Sequence, residues 1–179
     1  MSARWLYLTL LAAALVVCPV AESYSSVWYR DAAGDVKGGP GPDIRFVRGT
    51  DQACRISFSV GFAKAPPLAV STRQGFTDML IVTVWTTGKT GPCEPHYWLG
   101  VHGADLKRVS LVNALTKSSV RLGPAVVSRK TVTFTLDASR IGDPRTIRFS
   151  VAAGREINEG AGGGGDLAPD KGTSPLWVR

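Results

Sequence analysis

The chain has 179 residues, 44% of them hydrophobic and 20% charged, with a formal net charge of +7. That length holds one domain rather than two once an address segment is removed, and the apolar share argues against wholesale disorder. Two His and three Cys residues, without a Cys/His cluster, leave no basis for a zinc site, which needs three or four N/S ligands close together.

Residues 1–23 read as a secretory signal peptide: a basic start at Arg4, an uncharged run from Trp5 to Val17, and small residues around Ala21-Glu22-Ser23, with cleavage after Ser23. As a helix that run reaches only about 20 Å, short of the roughly 30 Å hydrocarbon core, so no stable membrane span is expected. Lipid attachment at Cys18 is the alternative, although Val17 precedes it where a lipobox has a small residue. Localisation is therefore secreted or extracellular. Removing Cys18 leaves Cys54 and Cys93, an even pair in an exported chain, which predicts a disulfide. Closing that loop stabilises a fold by about 4 kcal/mol in the chain-entropy model, and two buried free thiols are the alternative.

The remainder, residues 24–179, reads as a single domain of strands. Weaker candidates open it at Val27–Arg30 and Ile44–Arg48. From Cys54 to Phe62, apolar and polar residues alternate without exception, the period-two mark of a strand with one buried face. Met79–Trp85 is apolar on both faces and fits a central strand. His96–His102 alternates again, followed by weaker candidates at Arg108–Val112, Ser119–Leu122 and Ala125–Ser128. Lys130–Leu136 and Arg145–Val151 complete the series. Gly/Pro/Asp clusters separate them, and no segment holds a helical apolar period. The fold class is all-β, an antiparallel two-sheet sandwich with one disulfide. Gly160–Gly165 matches a dinucleotide-loop pattern, but no apolar helix follows to receive a pyrophosphate, so it reads as a flexible surface loop.

Charge is unevenly spread. Ile44–Arg155 carries sixteen Lys/Arg against six Asp/Glu, whereas Asp31–Asp43 and Glu156–Asp170 are acidic. The two acidic segments are Gly-rich. If the chain termini lie close together, Asp31, Asp35, Asp166 and Asp170 converge as oxygen ligands for a hard cation such as calcium. The plainer reading is turn chemistry, for which Asp and Gly are both suited. The basic residues are scattered singly, which argues against nucleic acid as a partner. Attraction to a cell-wall glycan or another anionic envelope polymer, or simply solvated strand faces, suits them better.

Four segments, taken in order, carry a family resemblance. They are Asp31-Ala-Ala-Gly-Asp35 running on to Asp43-Ile44, the strand Ile56-x-Phe58-x-Val60-x-Phe62, Leu136-Asp-Ala-Ser-Arg-Ile-Gly142, and Asp166-Leu-Ala-Pro-Asp170-Lys-Gly172. Together they resemble secreted bacterial β-sandwich modules related to family 9 carbohydrate-binding modules and DOMON-like domains. The resemblance implies a jelly-roll-like sandwich and a structural calcium on Asp31, Asp35, Asp166 and Asp170. It also implies glycan binding, and it does not supply the Cys54–Cys93 pair.

A sugar needs an exposed aromatic platform with polar groups beside it. If Tyr97, Leu99 and Val101 face the core, then His96, Trp98 and His102 share the outer face and form the candidate ligand site. The alternative buries Trp98 beneath the Lys64–Gly75 segment. Trp28 and Trp85 read as core. No nucleophile elbow, zincin helix or phosphate loop is present, so the chain reads as non-catalytic. The reading is an exported binding module, with a structural or protein-interaction domain as the alternative.

Overall fold

The computed structural model describes residues 24–38, 41–52, 54–64, 70–71, 76–86, 96–102, 107–157, 162–170 and 173–179. The expected signal segment and Cys93 lie outside the described residues, so the structure describes neither the leader nor the Cys54–Cys93 bond. Among the described residues no helix is long and apolar enough to cross a membrane.

The strands are β1 (Ser25–Arg30), β2 (Ile44–Gln52), β3 (Arg55–Phe62), β4 (Val70–Ser71), β5 (Phe76–Trp85), β6 (Tyr97–His102) and β7 (Ser110–Asn113). They continue as β8 (Ser119–Arg121), β9 (Val126–Ser128), β10 (Thr131–Asp137), β11 (Thr146–Ile157), β12 (Gly162–Ala168) and β13 (Trp177–Val178). One sheet has the order β1-β2-β3-β10-β9. The other has the order β12-β11-β5-β6-β7-β8, with β4 beside β5 and β13 beside β11. All pairings are antiparallel, and the two sheets form a sandwich. Every alternating segment of the sequence is a strand, and β5, apolar on both faces, is central between β11 and β6.

Alternation places the core. Ile56, Phe58 and Val60 of β3 meet Val132, Phe134 and Leu136 of β10, and across the sandwich lie Val82, Leu99, Phe149 and Val151, all buried. Phe149 packs edge-on to Phe58 with ring centres 5.0 Å apart, and Trp177 closes on both rings. Such edge-to-face pairs add to burial because the positive ring edge meets the negative face. Trp177 also donates its indole N–H to Ser25 Oγ at 2.9 Å, tying β13 to β1.

Two sequence expectations are corrected. Trp28 is not core: Val27 and Tyr29 take the inward positions of β1, so strand alternation turns Trp28 outward, where it is 51% exposed. Trp85 lies on the outer side of β5 and is half-buried. From Gly162 on, the Gly-rich run is not a loop, since Gly162–Ala168 is a full strand paired with β11. Glycine is a poor strand former in isolation, and here the neighbouring chain approaches the β12 backbone closely. A Cβ on Gly41 would lie 2.5 Å from the carbonyl oxygen of Gly164, so the 31–43 connection rests directly on the β12 backbone. Sequence pattern reports side-chain periodicity, and a strand of glycines has none to report.

Candidate metal centre and ligand groove

The connection between β1 and β2 leaves the sheet at Asp31, whose N–H still donates to Arg45 O at 3.1 Å. It then crosses to the other sheet, where Lys37 and Gly165 exchange two backbone hydrogen bonds of 2.9 Å. This bridge sets Asp35 beside Asp166 of β12, and carboxylate oxygens of Asp31, Asp35 and Asp166 lie within 4.8 Å of one another. The convergence expected from sequence is present for three of the four aspartates. Asp170 stands off the triad, on the wall of an adjoining cavity of 350 Å³, yet close enough to push up the Asp31 carboxyl. Asp166 is not on a loop, as expected, but on a strand, and it is buried.

The hydrogen bonding divides these oxygens into two kinds. Asp166 is held by backbone donors, with Ile44 N–H on Oδ2 at 2.6 Å and Leu167 N–H on Oδ1 at 2.9 Å. Asp43, which the sequence argument passed over as a ligand, accepts from Gly34 N–H at 3.1 Å through Oδ2. In contrast, Asp31 Oδ2, both oxygens of Asp35 and Asp43 Oδ1 are shielded from solvent and accept no hydrogen bond. A buried polar atom without a partner carries its full desolvation cost, and several carboxylates together add mutual repulsion. An all-oxygen set of this kind suits a hard cation such as calcium.

The electrostatics agree. Burial pushes the Asp31 carboxyl up to about 7, helped by the charges of Asp166, Asp35 and Asp170. Burial also raises Asp166, against the lowering effect of the Ile44 and Leu167 N–H groups. Tyr29, donating to Ala168 O at 2.8 Å, has its phenol pushed up by burial and by Asp31. A raised carboxyl means that the ion-free fold keeps a proton which the unfolded chain releases. The Asp31 contribution to stability is therefore complete below its ordinary value of 3.8 and is lost as pH rises to about 7. Thermal melts in chelator should fall steadily across that window, and the fall should vanish in calcium, which neutralises the cluster. A flat profile in chelator would contradict this placement of Asp31.

The second feature lies on the outer face of the eight-stranded sheet. Leu99 and Val101 are buried, so Trp98 faces outward, as the platform reading required. Its cross-strand neighbours are Thr83 and Val112, with Gly100 and Ala152 flattening the next row into a groove of 460 Å³. Ser110 and Arg108 line one end of it. A side chain at position 100 would strike Leu80 O at 2.8 Å, so the glycine keeps this floor low. Lys117 Nζ sits 5.3 Å from the Trp98 ring centre, a cation–π contact at the rim. Ala152 lines both this groove and the cavity beside the aspartates.

His96 precedes β6 and turns to Thr86, whose N–H and hydroxyl lie 3.1 and 2.9 Å from Nδ1. The His102 side chain, and most of the Lys64–Gly75 segment, lie outside the described residues. Comparison with family models, with curated proteins and with solved structures finds no match for this chain.

Proposed function

We propose that the chain is an exported, non-catalytic binding module of the cell envelope or extracellular space. In this reading a structural calcium closes one end of a jelly-roll-like sandwich, and the Trp98 groove takes a wall glycan. The observation that carries the reading is the set of four shielded carboxylate oxygens without hydrogen-bond partners around Asp31, Asp35 and Asp43. A divalent ion among Asp31, Asp35 and Asp166 would satisfy the bare oxygens of Asp31 and Asp35 and join the end of β1 to β12. The resemblance to family 9 carbohydrate-binding and DOMON-like modules supports the same assignment.

The groove supports the ligand half. An indole face, a flat floor at Gly100 and Ala152, and hydroxyls from Thr83 and Ser110 offer stacking for a sugar ring together with partners for its hydroxyls. The Cys54–Cys93 disulfide belongs to the same proposal. Cys54 is exposed in the β2–β3 turn with φ 67°.

Tryptophan fluorescence of the calcium-loaded protein tests it against a broad panel of envelope glycans. A saturable change with at least one glycan is expected, and it should be lost in Trp98→Ala while the melting temperature holds. No change across the panel would overturn the glycan reading and leave a structural or protein-interaction domain.

A further inference from the structure

The five-stranded sheet has an outer face of its own, built quite differently from the Trp98 groove. Tyr24 is 56% exposed and Trp28 51% exposed on this side. The Arg30 guanidinium lies 5.2 Å from the Trp28 ring centre, and that of Arg48 lies 6.0 Å from the Tyr24 ring centre, with Arg48 also donating to the Tyr24 hydroxyl. Trp28 and Arg48 are direct cross-strand partners. Guanidinium and ring thus alternate along the edge in the order Arg30, Trp28, Arg48, Tyr24.

Neither Arg30 nor Arg48 makes an ion pair with a carboxylate among the described residues, whereas Arg155 and Arg179 are committed to Asp78 and Asp51. A guanidinium beside a ring keeps further N–H groups that can make a two-pronged contact with an anion. Arg30 opposes Phe46, two positions from Arg48. The Cα atoms of the two arginines therefore stand about 7–8 Å apart on the sheet diagonal. Inward from them the Phe46 ring covers Gly61, β3 and β10 present hydroxyl pairs, Ser59 with Thr133 and Ser57 with Thr135, each at 3.0 Å, and Val126 of β9 is exposed at the far edge. Among the described residues of this face the one acid, Asp137, lies at its far end against Arg55.

We infer that this face is a binding site for a carboxylate-bearing polysaccharide, separate from the Trp98 groove and independent of the ion. Uronate rings supply both halves of the match: a carboxylate for each arginine fork, and a ring face and hydroxyls for Trp28 and the Ser/Thr rows. An anionic membrane is the poorer fit. Interfacial anchoring places aromatic and aliphatic side chains in the headgroup layer, whereas these rings are clasped by arginines and bordered by hydroxyls.

The test is calorimetric titration of the whole protein with a short oligogalacturonate, with its methyl-esterified form, and with vesicles rich in phosphatidylserine. Binding to the acid form is expected, weakening as salt rises. It should weaken roughly tenfold or more in the Arg30→Gln/Arg48→Gln pair and in Trp28→Ala. Arg140→Gln, which removes a charge from the Ala138–Ile141 turn, should bind like the parent. All these side chains are exposed, and matching melting temperatures will establish that the variants fold. Equal binding of the esterified form, undiminished binding by the double variant, equal loss in Arg140→Gln, or capture by vesicles in place of the oligosaccharide would each overturn the inference.

Discussion

Arg179→Ala is expected to destabilise the fold by about 3–5 kcal/mol, because it leaves a buried carboxylate without its countercharge. Arg179 and Asp51 are both under one-tenth exposed, and they meet through two N–H contacts of 3.0 and 3.2 Å. The same guanidinium also reaches Asp143 Oδ1 at 3.1 Å and Pro144 O at 2.8 Å. Three separated stretches of chain thus meet on one side chain: β2, the Asp143-Pro144 turn and the residue after β13. Lysine restores a charge but not a planar fork, so Arg179→Lys should recover only part of the loss. Urea melts of the three proteins read this directly. A loss below about 1 kcal/mol for the alanine variant would place the pair among weak surface contacts.

Asp35→Asn is expected to have opposite effects with and without the ion. In chelator the substitution removes a charge whose two oxygens have no hydrogen-bond partner and which sits against Asp31 and Asp166. The ion-free variant should therefore melt above the parent. In calcium the order should reverse. The parent gains about 2.7 kcal/mol when the free ion stands a hundredfold above its dissociation constant, and the variant, short of a ligand, gains little. Melting curves in the two conditions should cross. A variant less stable in both would return Asp35 to turn chemistry.

Much of this architecture is legible in the sequence, and the reasons for the remainder are physical. Ile56, Phe58, Val60 and Phe62 announce β3 because one-sided burial leaves a period of two, and Val132, Phe134 and Leu136 do the same for β10. The same reasoning puts Trp98 outside once Leu99 and Val101 are inside. β12 escapes it because glycines carry no side chain to alternate, and its pairing is imposed by β11 and by the Lys37 bridge.

Trp28 escapes for another reason. A lone tryptophan in a short strand could face either side, and only Tyr29, reaching Ala168 and packing on Phe149, decides the matter. Asp43 belongs to the acidic segment visible in the sequence. Its half-satisfied carboxylate depends on the turn at Gly34, with φ 76°, whose N–H takes one of its oxygens and leaves the other bare. The Asp51–Arg179 pair spans 128 positions, a separation at which no local pattern carries information.

Calorimetric titration of calcium into the chelator-treated protein tests the ion site most directly. One calcium per chain is expected, with affinity falling as pH drops below 7, where Asp31 takes up a proton, and with the heat abolished by Asp35→Asn. No saturable heat, or an isotherm unchanged by that substitution, would contradict the account.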